Sequence, residues 1–303
     1  MAALDVTIAG VPFQNPLIAA SGTIGFGREY ENFYPLSTFG GISCKGTTLY
    51  ARPGNPPERV TETAGGMLNA VGLQNPGVRH FIEQDLIWLK QKGTTVIANV
   101  AGSTKEEYVE VAQLLHGSDV DMIELNISCP NVKAGGVQFG TTTAGVEDIT
   151  AAVRKSTTKP LMVKLSPNVT DIGDMAAAAE SGGADAISMI NTLTGMKIDI
   201  ETLRPVIHNN TGGLSGPAIL PIAVRMVWQA ARRVKVPIIG LGGISTWQDA
   251  VEMMLAGAAA FQIGTVLFTD PYAPVKILDG LNQYLDKRKL SSVTELTGRM
   301  EAW

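Results

Sequence analysis

Residues 124–131, Glu124-Leu125-Asn126-Ile127-Ser128-Cys129-Pro130-Asn131, gather one thiol, two carboxamides and a hydroxyl within a few positions. The run opens with strand-like alternation and ends in a polar loop, where Pro130 stops the strand and stiffens the turn behind Cys129. A thiolate is a competent base, and carboxamides offer a small polar molecule both donors and acceptors. A free cysteine is more often an inert buried group. Chemistry at Cys129 therefore depends on what else the chain brings to that strand end.

The elements that would position this run repeat along the chain. Eight short apolar, β-rich runs occur at residues 17–21, 41–45, 95–100, 122–127, 161–165, 186–190, 237–241 and 261–264. Most are near-continuously apolar, as strands buried on both faces of a parallel sheet must be. Amphipathic stretches at 78–91, 105–116, 146–157, 217–234 and 246–255 separate many of them. Ser103 or Thr104 before Glu106-Glu107, and Thr246 before Asp249, supply helix-capping chemistry, while His116-Gly117 and Leu255-Ala256-Gly257 read as helix ends. Eight β/α units without a composition break predict an α/β fold, a closed (β/α)8 TIM barrel forming a single domain over residues 1–303. Residues 4–16 alternate around Ala9-Gly10 and predict an N-terminal β-hairpin closing the barrel's bottom. Residues 47–76 are too long for an ordinary βα connection and read as a long loop at the C-terminal mouth.

Polar residues collect at the same end of these strands. Ser21, Lys45-Gly46, Asn99, Asn126 through Asn131, Lys164, Asn191-Thr192, Gly242-Gly243 and Gly264-Thr265 all fall at or near a strand terminus. Lysines on buried strands are costly unless each meets an anion. For Lys164 that anion is either Glu124 on the neighbouring strand, in an internal salt bridge, or a bound ligand, and the nearby asparagines favour the ligand. Glycines at residues 240–244, 264 and 212–216 expose backbone N–H groups at neighbouring mouths, the last group ahead of a helix, as a phosphate cradle requires. Pyridoxal phosphate would use Lys164 as a Schiff base, whereas FMN would use it as a cation beside the ring. The many asparagines and the lack of a catalytic histidine favour the flavin.

Bulk properties narrow the class. The chain has 303 residues, a formal net charge of −4 and 45% hydrophobic residues, which predicts a soluble globular protein with no nucleic-acid surface. No signal peptide and no apolar run approaching a membrane span is read, and two cysteines, Cys44 and Cys129, fit a reducing cytoplasm.

Residues 126–131, with residues 69–73, Lys164, Asn191-Thr192, residues 213–217, Gly242-Gly243 and Gly264-Thr265, closely resemble class 1 dihydroorotate dehydrogenase, from Val6 to about Asp270. That family is a flavin (β/α)8 barrel that oxidises dihydroorotate to orotate in pyrimidine (UMP) biosynthesis. The resemblance implies catalytic roles for Cys129 and Lys164, with Cys129 removing the C5 proton while a hydride leaves C6 for the flavin. It implies FMN contacts at Ser21, Lys45, Gly46, Asn99, Asn126, Lys164, Ile190, Gly216, Gly242, Gly243, Gly264 and Thr265. Substrate contacts are implied at Lys45, Asn69, Ala70, Val71, Gly72, Leu73, Asn126, Asn191 and Thr192. An ordinary thiol titrates near pH ~8.5, so turnover is expected to rise on the alkaline side. Cys44 is expected to be inert.

The stretch after Asn131, Val132-Lys133-Ala134-Gly135-Gly136-Val137-Gln138-Phe139-Gly140, looks like the NAD-linked class 1B form, and its glycines would permit a lid. The resemblance implies a partner subunit carrying FAD and a [2Fe–2S] cluster around a homodimer core, in a heterotetramer; consistent with that, two cysteines are too few to hold a cluster here. Class 2 enzymes use a serine base and an N-terminal membrane-docking extension, neither of which matches. The alternatives are a fumarate-dependent class 1A homodimer, a tRNA-uridine-reducing flavin barrel, which would want a basic face, and a non-catalytic flavin-holding barrel. His80, His116, His208 and the four tryptophans read as packing, capping or surface groups.

Overall fold

The computed structural model describes residues 2–128 and 139–303; Cys129 and most of the stretch expected to form a lid lie outside the described residues. The chain opens with a hairpin of β1 (Val6–Ile8) and β2 (Val11–Phe13), paired antiparallel with Val6 opposite Phe13. Its turn residues Ala9 and Gly10 have φ of 50° and 80°, a pair of left-handed positions of the kind tight hairpins need. The expected N-terminal hairpin is therefore present, and it seals the end where the barrel strands begin. Thr95 Oγ1 donates to the Pro12 carbonyl at 2.9 Å, and a Cβ on Gly41 would stand 2.7 Å from the Phe13 ring.

The barrel follows in chain order. β3 (Leu17–Ala19) and β4 (Gly41–Ser43) pair in parallel, and an excursion then carries β5 (Val60–Thr63) and β6 (Gly66–Asn69). β7 (Thr95–Val100), β8 (Met122–Asn126), β9 (Leu161–Lys164) and β10 (Ala186–Met189) continue the barrel. A second excursion holds β11 (Leu193–Gly195), β12 (Ile198–Asp199), β13 (Arg204–Pro205) and β14 (Gly212–Ser215). β15 (Ile238–Leu241) and β16 (Ala258–Ile263) then close the ring of eight, in the order β10-β15-β16-β3-β4-β7-β8-β9. Residues of β8, β9 and β10 are buried on both faces, consistent with their mostly apolar sequence, which Glu124, Asn126, Lys164 and Ser188 interrupt.

The helices carry the capping read from sequence. Thr104 caps Lys105–His116 by accepting from the Glu107 N–H, and Thr246 with Asp249 forms a full capping box on Trp247–Leu255. The helix expected at residues 146–157 runs instead over Thr143–Arg154, because the Thr142 hydroxyl accepts from the Gly145 N–H and starts it three residues earlier.

Other boundaries move for physical reasons. β3 and β4 end at Ala19 and Ser43, so Ser21 and Lys45 stand in the loops above them. β16 starts at Ala258, three residues before the expected run, where alanines carry little strand signal but are held by pairing to β15. The largest correction concerns the two excursions. Residues 47–76 are no plain loop, and Gly212–Ser215 is no glycine loop: β11, β14, β6 and β5 form one antiparallel sheet in that order, with Asn69 opposite Gly213 and Met67 opposite Ser215.

Candidate active site

At the centre of the barrel lies a carboxylate. Glu124 on β8 is fully buried and takes hydrogen bonds from four strands. Its Oε2 accepts from Ser43 Oγ at 2.5 Å and Asn99 Nδ2 at 2.6 Å. Its Oε1 accepts from Ser188 Oγ at 2.7 Å and Gln262 Nε2 at 3.1 Å. Burial alone would raise the Glu124 carboxyl out of the usual range; the Lys164 charge and the hydrogen bonds from Ser43, Ser188 and Asn99 outweigh it and hold the group below.

Lys164, the last residue of β9, is only 4% exposed, yet among the described residues its ammonium has no ion pair and no hydrogen-bond acceptor. The direct Lys164–Glu124 salt bridge weighed from sequence is therefore absent, since four neutral donors already fill the carboxylate. Lys164 instead lines a cavity of about 480 Å³ at the C-terminal end of the strands. That volume falls within the ~300–1,000 Å³ of small-molecule sites.

One wall of this cavity is built from bare backbone. Gly242 and Gly243 follow β15 with φ of 125° and 82°, and a Cβ on Gly243 would sit 2.6 Å from the Leu220 nitrogen. Only glycine lets this turn approach the N-terminal end of the helix Leu220–Ala231, which is preceded by Gly216 and a turn at Pro217–Ile219. Among the described residues the N–H groups of Gly243 and Thr265 donate to no backbone carbonyl. Unspent amides beside a helix N-terminus suit an anion. The Thr265 hydroxyl donates to Ser215 Oγ at 2.8 Å, joining the end of β16 to the excursion sheet.

The opposite wall is a line of amides. Asn126 Nδ2 donates to Asn99 Oδ1 at 3.3 Å, and Asn126 Oδ1 accepts from Ser128 N–H and Oγ. Asn191 Nδ2 donates to Ser128 Oγ at 2.7 Å. Tyr108 holds the Asn126 carbonyl at 2.8 Å. This network fixes Ser128, the residue next to Cys129.

Every position expected to contact the cofactor lines this one cavity, and so do Asn69, Val71, Gly72, Leu73, Asn191 and Thr192. Ala70 does not. It is fully buried, its N–H donates to the Arg59 carbonyl and its own carbonyl accepts from Asn55, so it supports the loop from behind. Asn75 organises the same loop by accepting from Gly77 N–H and donating to the Leu73 carbonyl. Cys44 is buried, and burial, followed by the charges of Asp85 and Glu124, drives its thiol far above the usual range, so it is inert. Sequence reasoning missed Gln262 on the cavity wall and the central role of Glu124. A glutamate within an apolar strand was the available signal. The lysines, bare amides and asparagines fit a phosphate-bearing ligand with a carbonyl-rich ring, as FMN is.

Residues 3–285 match the family model described as dihydroorotate dehydrogenase. A protein of Bacteroides fragilis named dihydroorotate dehydrogenase B (NAD(+)), catalytic subunit, is 53% identical over 302 residues, covering 99% of this chain and 100% of its own. Proteins of the same name from Citrifermentans bemidjiense and Alkaliphilus oremlandii are 54% and 52% identical, each with 98% of both chains covered. The matched span takes in all eight barrel strands and the cavity at their ends, and the chain belongs to the dihydroorotate dehydrogenase family.

Proposed function

We propose that this chain is the catalytic subunit of an NAD-linked, class 1B dihydroorotate dehydrogenase, oxidising dihydroorotate to orotate for pyrimidine synthesis with FMN as its cofactor. The observation that carries this reading is Lys164: a buried ammonium facing the cavity without an acceptor among the described residues. Such a charge is tolerated when a ligand supplies the counter-charge. The flavin, when bound, accepts the hydride that leaves the substrate.

The chain's own residues do the rest. Lys164, on the cavity wall, would supply positive charge to a flavin held there and favour its reduced, anionic form. Gly243, Thr265 and the helix behind Gly216 hold the phosphate. Lys45, Asn69, Asn126, Asn191 and Thr192 meet the carboxylate and amide edges of the dihydropyrimidine. Cys129 takes the C5 proton, and the Asn191–Ser128 hydrogen bond fixes the residue that precedes it in sequence. The sheet of β5, β6, β14 and β11 roofs the cavity and limits water.

The relatives' name, catalytic subunit, supports a partner subunit, for which we propose FAD and a [2Fe–2S] cluster delivering electrons to NAD, around a homodimeric core in the cytoplasm. Among the described residues no helix is long and apolar enough to cross a membrane. The test is anaerobic mixing of the purified yellow protein with dihydroorotate. Bleaching of the flavin, and faster turnover with NAD than with fumarate when the partner is present, are the expected results. A chain that binds no FMN after reconstitution overturns the reading, and preference for fumarate moves it to class 1A.

A further inference from the structure

Three residues of the cavity floor share one neighbour that lies outside the cavity itself. Asn99 and Gln262 line the cavity and give their donor ends to Glu124, while Lys164 faces the same space within Coulombic reach of it. A carboxylate has no hydrogen to offer, so it dictates which end of each amide it meets. Asn99 must present Nδ2 downward, which turns Oδ1 toward Asn126 Nδ2, and this in turn points Asn126 Oδ1 at Ser128. Gln262 is held the same way although its Oε1 is left buried with no partner among the described residues. An unmet buried acceptor is costly. The donor end therefore goes where the demand is stronger, to an ionised group.

Resting on the flavin reading above, we propose that Glu124 is a positioning residue and buried counter-charge. Ionised, it orients the amides of the floor and offsets Lys164, so that it limits how strongly the site prefers reduced, anionic flavin to the oxidised form. Among the described residues no ion pair neutralises Lys164 directly, and Glu124 is an anion that reaches the cavity floor through Asn99 and Gln262. Removing its charge at constant shape leaves the lysine's field unopposed.

The test uses the full-length chain, with its partner subunit where the two co-purify, and compares Glu124→Gln, Glu124→Asp and wild type. Dissociation constants for FMN are measured in the oxidised and the fully reduced state. Glu124→Gln is expected to shift the ratio at least tenfold toward the reduced form, about +30 mV for a two-electron couple. Glu124→Asp, which keeps the charge, is expected to restore the ratio to within about threefold. Ser43→Ala and Ser188→Ala each remove one hydroxyl and keep the carboxylate, and they too should leave the ratio within about threefold.

A flavin-binding Glu124→Gln protein with an unchanged ratio overturns this inference alone. An equal shift in either serine variant also overturns it, since packing and not charge would then be responsible. A wild-type chain that binds no FMN overturns the flavin reading and this inference with it. Infrared spectra of 13C-glutamate-labelled wild type minus Glu124→Asp give a readout that does not require Glu124→Gln to fold. An ionised carboxylate stretch at neutral pH is expected, and a protonated carbonyl stretch refutes the proposal.

Discussion

The two ends of the barrel are made of opposite materials. At the end where the strands begin, the β1–β2 hairpin lays Phe13, 1% exposed, against the start of β4, and Pro12 ties to Thr95. Its contacts there are mainly apolar, with Val6, Ile8, Val11 and Phe13 of the hairpin all buried. At the other end, Lys164, the Gly243 and Thr265 amides and the asparagine line are arranged around an open volume. The apolar end stabilises the barrel by area removed from water. The polar end leaves hydrogen-bonding capacity unspent, which lowers stability and is kept for function.

This contrast makes the ends separable by mutation. The largest effect is expected for Cys129→Ala: turnover should fall by about 10²- to 10⁴-fold, the share of a general base, with FMN still bound. The wild-type rate should rise with pH toward the ordinary thiol range; a pH-independent rate in stopped-flow reduction would assign the proton elsewhere. Next is Lys164→Ala, expected to slow flavin reduction about 10²- to 10³-fold, the scale of losing one preorganised charge-stabilising group. The barrel should stay folded with at most a modest drop in melting temperature, because Glu124 loses the lysine's charge but keeps its four neutral donors. An unfolded Lys164→Ala protein would make the lysine structural and erase the contrast.

At the closed end the expectation reverses. Phe13→Ala should cost about 3–5 kcal/mol in chemical denaturation and leave kcat unchanged. A lost kcat with intact stability would mean that the two ends communicate. The smallest effect is Thr246→Ala, which removes a helix cap worth about 1 kcal/mol on the helix between β15 and β16. Activity should be indifferent to it.

Glu124 adds a pH dependence to the barrel as a whole. Its folded value is lowered from the usual 4.5, so its contribution is present above that pH and is lost as pH falls through the lower folded value. Acid unfolding of Glu124→Gln should lack that component.

Much of the barrel was legible because its cause is local. A strand buried on both faces must be largely apolar, so residues 161–163 and 186–189 announce themselves without their partners, Ser188 being the one polar residue among them. Thr104 and Thr246 cap helices whose first turns lie beside them in sequence. The cavity residues were legible for a related reason: polar groups and glycines at the ends of apolar runs must share one rim once the runs close into a barrel.

The sheet over the mouth was not legible. β6 and β14 are short and partly exposed, and they are held by pairing between Asn69 and Gly213, residues far apart in the chain. That Ala70 stands behind the cavity lining was not legible for the same reason, since which face of that segment meets the cavity depends on its neighbours Arg59 and Asn55.

The amino-acid sequence by itself determined eight buried strands, their order, the capped helices and the polar rim, because each follows from periodicity or from a residue's own backbone limits. Only the tertiary structure decided that Glu124 gathers donors from four other strands, that Lys164 is left without an acceptor among the described residues, and that two distant excursions join into a roof. These depend on which side chains converge across the barrel axis, and that convergence exists only after the ring has closed.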